Sequence, residues 1–464
     1  MGGDGVKIGF EVHVQLDTKT KLFCNCPTDY EDAEPNQNTC PICTGMPGAK
    51  PLPPNEEAIL IALQIAYMLG CDPVTEEPVY FMRKHYDYPD LPSGYQRTSV
   101  PIATDGELDG VRIREIHVEE DPGRWEPSTG RVDYNRSGVP LIEIVTEPDM
   151  RSPEEARDFL RRLMQVLRYS GRVKGDGGIR VDANVSVEGG ARVEIKNINS
   201  IKGVYKALKF EIQRQRNLIK HGREVRRETR AFREDQGTTV PMRAKETAED
   251  YRYIPDPDLA PFEITEDMWE KAVATAPEPP HVRAERLVEE YGISREAAEA
   301  LVTEREWADF FEEVVEKAPD DWEIEFIDQW VRKELKKVLN KKELTFSEAK
   351  ITPEDLIELM KLVKEGKITR QNALNALWEA VDSDVSPVEV VEREGMLKVS
   401  DEEELERVVE EVIEEHEQAV KDYLSGKEEA IHFLMGQVMR KTRGRADPDV
   451  TMRLLREKLD GLDT

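Results

Sequence analysis

Residues 9–16 read GFEVHVQL, and polar and apolar side chains alternate from residue 10 to the end of this octapeptide. A period of two is typical of a β-strand with one face toward a core and one polar face. Glu11, His13 and Gln15 share the polar face. Such a face is either exposed to solvent or forms the wall of a site, and a carboxylate beside an imidazole suits a hard cation such as Mg²⁺.

Other segments of the first 200 residues alternate in the same way between Gly, Pro, Asn or Asp, which predicts a region rich in strands. The predicted strands are Val6–Leu16, Val111–Val118, Leu141–Val145, Gly178–Val187 and Ala191–Ile195. Two helices interrupt them. These are Asn55–Leu69, which ends at Gly70, and Ser152–Tyr169, which Ser152 caps.

Helical patterns dominate the rest of the chain. A basic stretch from Ile201 to about Glu234 has eleven Lys and Arg against four Glu and is interpreted as one long helix. Its cations either pair with acidic neighbours or contact RNA. A linker is predicted at Ala274–Pro280, a further break near Ser383–Pro387, and an acidic helix over Asp401–Glu415, whose charges lie on a solvated face.

The predicted fold class is α+β, with three domains along the chain. A β-rich cradle domain with flanking helices occupies residues 1–275, an all-α helical domain residues 276–395, and a small all-α tail domain residues 396–464. A chain of 464 residues is too long for one core, which agrees with this division.

The composition excludes several classes of protein. The formal net charge is −30, from 65 Lys and Arg against 95 Asp and Glu, so any nucleic-acid contact must come from local basic patches. The acidic excess reflects solubility, adaptation to a hot or salty cytoplasm, or both. There is no apolar run of membrane-spanning length and no N-terminal signal segment, so a cytoplasmic protein is expected. Five cysteines in so long a chain do not form a disulfide scaffold.

Four of the cysteines have the spacing C-x-C-x13-C-x2-C. They are Cys24, Cys26, Cys40 and Cys43. Two close pairs on either side of a short loop can direct four thiolates to one tetrahedral ion, which predicts a structural zinc site with no open coordination position. A redox-active pair is the alternative. Cys71 stands alone and is expected to be a small buried residue.

A second candidate for the site is the segment His117-Val118-Glu119-Glu120, and Glu143 and Asp182-Ala183-Asn184 add further acidic groups. The sequence contains no Walker loop, no dinucleotide-binding glycine motif and no nucleophile elbow. If ATP binds, it uses another kind of site, and no residue stands out as a nucleophile.

Long motifs spread over nearly the whole chain resemble one family. They are GFEVHVQL (9–16), HYDYPDLPSGYQ (85–96), HVEEDPGR (117–124), DYNRSGVPLIEIVTEPDMRSPEEA (133–156), RVDANVS (180–186), EIKNINS (194–200), DYRYIPDPDLAP (250–261) and GKEEAIHFLMGQVMRKTRGRADPD (426–449). The family is the B subunit of the tRNA-dependent amidotransferases, which make Asn-tRNA and Gln-tRNA from misacylated Asp-tRNA and Glu-tRNA.

The resemblance implies a reaction and partners. The cradle would activate the side-chain carboxylate of the tRNA-bound amino acid with ATP and Mg²⁺, and ammonia would displace the phosphate. The ammonia would come from an amidase-type A subunit through an internal channel, and a small C subunit would hold A and B together. The four-cysteine set occurs in some family members only, which favours a structural role.

The resemblance also implies roles for individual residues. Glu11, His13 and Glu120 match metal ligands, with His13 and Glu120 also regarded as catalytic, and Glu119 is a further candidate ligand. Strand alternation puts Glu119, not Glu120, on the face of His117, so a bulge or strand end would have to reorient the segment if Glu120 is the ligand.

Four further residues lie in or near these motifs. Lys84 matches a catalytic lysine at the mouth of the ammonia channel; it could instead neutralise phosphate or be a surface lysine. Asp182, Asn184 and Lys196 are candidates for the nucleotide pocket.

The C-terminal motif contains four cations without an intervening acid, Arg440, Lys441, Arg443 and Arg445. They are expected to contact tRNA phosphates, which positions RNA without reading its sequence. Alternatively they complement the dipole of a helix C-terminus.

Two other functions compete with this interpretation. One is the related E-type subunit, which pairs with an asparaginase-like partner, serves only Glu-tRNA and carries an inserted domain for which this chain leaves little room. The other is a non-catalytic tRNA-binding scaffold with a zinc knuckle.

Overall fold

The computed structural model of the chain describes residues 5–175, 179–242, 251–397 and 402–462. These residues form two compact units that divide between residues 280 and 281. The first contains a large sheet with helices and the second is helical, which confirms the α+β fold class followed by an all-helical region. Gly178 and Asp401, where two predicted elements begin, lie outside the described residues. Within the described ranges, no helix has both the length and the apolar character needed to cross a membrane.

The first unit is built on a mixed sheet and four helices. Its strands are β1 (Lys7–Gln15), β2 (Asp72–Pro73), β3 (Phe81–His85), β4 (Tyr95–Ser99), β5 (Ala103–Leu108), β6 (Val111–Glu120), β7 (Arg124–Glu126), β8 (Arg131–Asp133), β9 (Pro140–Thr146), β10 (Ile179–Ser186), β11 (Val193–Ile198), β12 (Glu228–Arg233), β13 (Thr238–Pro241) and β14 (Ile254–Pro255). Its helices are α1 (Glu56–Met68), α2 (Pro153–Tyr169), α3 (Ile201–Lys220) and α4 (Glu266–Thr275).

The main sheet has the order β13-β12-β11-β10-β1-β9-β6-β4-β3-β14, and β5 pairs with both β6 and β2. Only β11 and β12 run parallel among these pairs. The two central neighbours of β1 are therefore β9 and β10, which come from distant parts of the chain. The hairpin β7-β8 forms a separate small sheet.

Alternation along β1 explains how the sheet packs. Val12 and Val14 are fully buried in the large core of this unit, as are Ile142 and Ile144 on β9. The helices α1, α2 and α3 contribute to the same core. One direct contact is the stacking of Phe10 of β1 on Phe159 of α2, with ring centroids 6.3 Å apart. The apolar face of the sheet is thus covered by helices, and the polar face is left for chemistry.

Both predicted helices of this region are present, and α2 has the predicted N-cap. The Asn55 side chain accepts hydrogen bonds from two backbone N–H groups at the start of α1, and Ser152 accepts one from Glu155 at the start of α2. The long helix predicted for residues 201–234 is wrong beyond Lys220. Gly222, with φ +68°, ends the helix, and residues 228–233 form a strand between β11 and β13.

Two arginines of this basic stretch form ion pairs with carboxylates between α3 and β12. Arg214 contacts Glu211 and Glu228, and Arg230 contacts the same two carboxylates. Glu211 is completely buried, so it requires these partners. This arrangement corresponds to pairing with acidic neighbours, the first of the two interpretations of the stretch.

The second unit contains two separate hydrophobic cores. Helices α5 (Pro280–Tyr291), α6 (Arg295–Leu301), α7 (Arg305–Lys317), α8 (Ile324–Asp328), α9 (Lys336–Lys342), α10 (Pro353–Lys364), α11 (Arg370–Ala380) and α12 (Pro387–Arg393) surround the first. A π-helical segment, Gln329–Leu335, joins α8 to α9. Helices α13 (Glu402–Glu415), α14 (Glu417–Leu424), α15 (Ala430–Lys441) and α16 (Pro448–Asp460) form the second core. The break near Ser383–Pro387 separates α11 from α12 within one core.

The large core of the first unit gives a stability prediction. Replacing Ile144 by Ala removes buried methyl groups next to β1 and should lower the free energy of unfolding by about 2–5 kcal/mol. Leu52→Ala, at a residue 39% exposed, is the control and should change it by less than about 0.5 kcal/mol. Denaturant unfolding followed by circular dichroism measures both, and equal effects would contradict this description of the core.

Candidate active site and metal cluster

The polar face of the central strands brings three titratable side chains into one row. Glu143 of β9 pairs in register with His13 of β1 on one side and with His117 of β6 on the other. Because directly opposed side chains of neighbouring strands lie on the same face, the row is set by register alone. Glu119, two residues along β6 from His117, lies on this face as well.

Three of these side chains converge on one point. His13 Nε2 lies 3.7 Å from Glu143 Oε2 and 3.8 Å from Glu119 Oε2, and the ligand atoms of the three residues lie within 4.8 Å of one another. Glu119 is only 3% exposed and accepts hydrogen bonds from Thr98 Oγ1 at 2.8 Å and from Gln96 Nε2 at 3.3 Å. Two carboxylates and one imidazole at this spacing can hold a hard cation.

The titration of the cluster reflects its crowding. Burial and the adjacent charge of Glu143 raise the pKa of Glu119 to about 7. Burial alone would also raise the pKa of Glu143, but its close contact with His13 lowers it overall. Burial would lower the pKa of His13, whereas its contacts with Glu143 and Glu119 raise it to about 9. Both carboxylates therefore interact with the protonated imidazole of His13.

A second acidic group lies beside the first on the same face. Glu11, Asp182 and Glu194 place carboxylate oxygens within 4.8 Å of one another. Lys196 Nζ donates to Asp182 Oδ2 at 3.0 Å and lies 3.7 Å from Glu194 Oε1. Asn184 Nδ2 donates to Glu11 Oε1 at 3.3 Å. The three residues predicted for the nucleotide pocket are therefore together, and they adjoin Glu11.

Lys84 lies at the edge of this face, on β3 opposite Gln96. Its ammonium group lies over the rings of Tyr251 and Tyr86, 4.8 and 5.9 Å from their centroids. Burial alone would lower the pKa of Lys84, but the charge of Glu119 and other nearby groups raises it. Lys84 is therefore a fixed cation within electrostatic range of the carboxylate cluster.

Glu120 lies on the opposite face. β6 pairs with β9 without a bulge from Glu115 to Glu120, so consecutive residues point to opposite sides. Glu120 Oε1 accepts a hydrogen bond from the Arg97 backbone N–H at 3.1 Å and lies 3.6 Å from the Arg97 guanidinium. The structure therefore does not bring Glu120 together with Glu11 and His13, because the reorientation that its ligand role required is missing.

Two acidic residues of the face have no individual role in the sequence analysis. Glu143 appears there only as part of an acidic set, and Glu194 is not singled out. For Glu143 the available signal is a single charged residue in the otherwise mostly apolar strand PLIEIVT. For Glu194 the signal is alternation, since VEIKNI places Glu194 and Lys196 on one face of β11.

The four cysteines converge as the spacing predicts. The sulfurs of Cys24, Cys26, Cys40 and Cys43 lie within 4.8 Å of one another. The distance from Cys43 Sγ to Cys26 Sγ is 4.0 Å, and Zn–S bonds of about 2.3 Å give tetrahedral S···S distances of roughly 3.8 Å. The donor set and its spacing fit zinc, so this cluster can bind it.

A lysine and a backbone N–H group contact the buried sulfur of Cys43. Lys21, which is 1% exposed, directs Nζ to Cys43 Sγ at 3.4 Å, and the Cys40 backbone N–H donates to the same sulfur at 3.2 Å. A hydrogen bond from the Cys24 thiol and these two donors lower the pKa of Cys43 to about 4, against the effect of burial. The thiolate form that a metal requires is therefore favoured at this position.

The predicted RNA-binding cations lie at the end of α15 and in the loop after it. Lys441 Nζ contacts Glu411 at 3.0 Å and Glu415 at 2.7 Å, so its charge is already paired. Arg445 Nε donates to the Thr442 carbonyl at 3.2 Å. Arg440 and Arg443 are exposed and have no ion pair within the described residues. The charge of Arg445 is also unpaired among the described residues, because a carbonyl carries no net charge. The free positive charge of this segment therefore comes from the three arginines.

Comparison with known proteins extends over both units. A family model described as the GatB/GatE catalytic domain matches residues 6–270, and one described as the GatB domain matches residues 309–459. The chain is 87% identical to the B subunit of the aspartyl/glutamyl-tRNA(Asn/Gln) amidotransferase of Methanopyrus kandleri, over 98% of this chain and 99% of that protein. Proteins of the same name from Methanothermobacter thermautotrophicus and Methanocaldococcus jannaschii are 56% and 54% identical, over 98% and 99% of this chain and 100% of each relative.

The cysteine cluster gives a prediction about stability. Cys40→Ser removes one of four sulfur ligands and should lower the melting temperature of zinc-loaded protein by on the order of 10 °C, because metal binding contributes directly to folding. Differential scanning calorimetry with and without a chelator measures the change, with Cys71→Ser, outside the cluster, as the comparison. The effect of Cys40→Ser should disappear once the metal is removed. An equal loss in chelated protein would contradict the prediction.

Proposed function

This chain belongs to the family of aspartyl/glutamyl-tRNA(Asn/Gln) amidotransferase B subunits, and we propose that the polar face of its first unit activates Asp or Glu on misacylated tRNA with ATP. The side-chain carboxylate attacks the γ-phosphorus, ADP leaves and an acyl phosphate forms. Ammonia then attacks the acyl carbon, phosphate leaves, and loss of a proton gives the amide of Asn-tRNA(Asn) or Gln-tRNA(Gln).

The main physical difficulty of the first step is charge. A carboxylate and a triphosphate must approach each other, so cations have to neutralise both. His13, Glu119 and Glu143 offer the imidazole and carboxylate donors that fit Mg²⁺, and Glu11 is their neighbour on β1. Mg²⁺ bound to this face would neutralise phosphate oxygens and orient ATP.

The remaining residues of the face would supply fixed charge. Lys84 would stabilise the transferring phosphate or the approach of ammonia from the edge of the sheet. Lys196, held by Asp182 and Glu194, would form the nucleotide side of the site together with Asn184. Glu120 and Arg97 would act from the opposite face by fixing the end of β6.

The observation that carries the proposal is the convergence of Glu119 and Glu143 on His13. A buried carboxylate beside a half-buried one is unfavourable for stability, and perturbed groups of this kind concentrate at functional sites. A scaffold that only bound tRNA would have no need for this arrangement.

We further propose the partners that the family resemblance implies. An amidase-type A subunit would produce ammonia from glutamine, a small C subunit would hold A and B together, and the complex would act in the cytoplasm. The E-type alternative is disfavoured because the GatB domain model matches residues 309–459 and the relatives named above carry the B-subunit name over their full length.

We propose that the four-cysteine cluster holds a structural zinc ion. With four sulfur ligands the ion would have no open position for substrate. The segment after β6 contacts this knuckle, since Ser137 Oγ donates to the Cys43 carbonyl at 2.8 Å and the Leu22 N–H donates to the Gly138 carbonyl at 2.9 Å. The ion would thereby stabilise the loop that follows Glu120.

A paired substitution tests the active site. Glu119→Gln and His13→Ala should each reduce ATP-dependent amidation at least about 100-fold, because they remove charge from the converging cluster. Glu120→Gln, one residue away on the other face, should retain activity within about tenfold. Phosphate release and amide formation by the assembled complex with misacylated tRNA measure both.

Binding of tRNA is the control for this experiment. All three variants should bind tRNA as the unsubstituted protein does, because the changes lie far along the chain from the basic tail. Full activity of Glu119→Gln with loss in Glu120→Gln would restore Glu120 as the ligand. Unchanged phosphate release in all of them would favour the scaffold interpretation.

A second pair tests the basic tail. Arg440→Ala combined with Arg443→Ala should weaken tRNA binding and make the slope of log K against log[salt] shallower by about 2, since two phosphate contacts are lost. Lys441→Ala, whose charge is already paired with Glu411 and Glu415, should have little effect. Fluorescence anisotropy at several salt concentrations measures both, and glutamine hydrolysis should not change. Removal of residues 399–464 that left affinity unaltered would disprove the RNA-binding role.

A further inference from the structure

The loop that carries two of the tail's arginines is anchored on the other core of the second unit. We call residues 442–447, between α15 and α16, the basic loop. Thr369 Oγ1 donates a hydrogen bond to the Gly444 carbonyl at 2.8 Å. Thr369 is the N-cap of α11, and both it and Asn372 in the first turn are buried. The basic loop therefore rests on the first turn of α11.

Both the backbone conformation and the space available at position 444 require a glycine. Its φ of +72° lies in the left-handed region, where a side chain is strained. A Cβ atom at this position would also come within 2.8 Å of Asn372 Oδ1. The preceding Arg443 has φ +52° as well, although it is not a glycine. The turn that ends α15 accounts for the backbone of Arg443, since the Arg443 N–H donates to the Arg440 carbonyl at 3.2 Å and the Gly444 N–H donates to the Met439 carbonyl at 2.8 Å. The contact with α11 is a further constraint on Gly444.

Asn372 also holds the chain that leads toward the tail. Its Nδ2 donates to the Met396 carbonyl at 3.4 Å, and Ile368 pairs with Leu397 in an isolated β-bridge. One turn of α11 thus contacts both the end of the first core's chain and the basic loop.

We propose that the contact of Gly444 with Thr369 and Asn372 is a docking joint that orients Arg443 and Arg445 toward RNA phosphates. The two arginines flank Gly444 directly, so the direction of their side chains follows from how the glycine is seated. The inference rests on the proposed binding of tRNA by the tail.

Substitution of two glycines tests the joint in the full-length protein. Gly444→Ala should lower affinity for a tRNA(Asn) transcript about 3- to 10-fold and make the salt dependence shallower by about 1 to 2. Gly426→Ala is the matched control. Gly426 also has positive φ, +95°, but nothing lies within 4 Å of its added Cβ. It shares the backbone strain without the contact, so its affinity should stay within twofold of the unsubstituted protein.

A rescue experiment distinguishes loss of the contact between Gly444 and α11 from general destabilisation of the protein. Asn372→Ala removes the amide that a methyl group at 444 would meet, so the double variant with Gly444→Ala should bind tRNA as Asn372→Ala alone does. Thr369→Val should weaken binding, whereas Thr369→Ser, which keeps the hydroxyl, should restore it. If Gly444→Ala does not fold, the comparison of tRNA binding by the two Thr369 variants decides whether the joint is required.

Three results would overturn the joint. They are unsubstituted affinity in Gly444→Ala, equal losses in both glycine variants, or equal binding by Thr369→Val and Thr369→Ser. Failure of the tail to bind RNA is a separate outcome, visible when the double arginine variant binds as the unsubstituted protein does. In that case the joint would be a packing contact only.

Discussion

The structure depends on the separation of apolar and polar side chains by the alternation of β1. Val12 and Val14 point into a core covered by helices, which fixes the strand at the centre of the sheet. Glu11 and His13 are then forced onto the opposite face, where β9, β6 and β10 bring further charged groups. A shift of one residue in register would exchange the two faces, so core packing protects the polar site as strongly as it protects the fold.

Electrostatics give the polar face its character. Glu119 and Glu143 lie close to His13, and Lys84 and Lys196 lie on either side of the acidic groups. Phosphoryl transfer needs carboxylates that hold a metal cation, and it needs ammonium groups that neutralise the charge of the phosphate. The overall charge of −30 has no bearing on this chemistry, because the local arrangement decides it.

The same principle governs the C-terminal segment. Four cations in one motif suggested four phosphate contacts, but tertiary packing pairs Lys441 with Glu411 and Glu415 and leaves Arg440 and Arg443 exposed. The basic stretch of residues 201–234 shows the same effect, since Arg214 and Arg230 pair with the buried Glu211 and with Glu228. Charge runs in a sequence therefore become binding surfaces only where folding leaves them without acidic partners.

The sequence by itself determined the features that depend on neighbouring residues. These are the strand period around His13, the cap at Ser152, and the spacing of the four cysteines whose sulfurs meet across a short loop. The tertiary structure decided which distant groups meet. Glu143 faces His13 through strand register, Glu119 rather than Glu120 lies beside His13 because β6 has no bulge there, and the basic loop lies on α11 through Gly444. Local geometry repeats along a chain, whereas register and docking depend on packing between segments far apart in it.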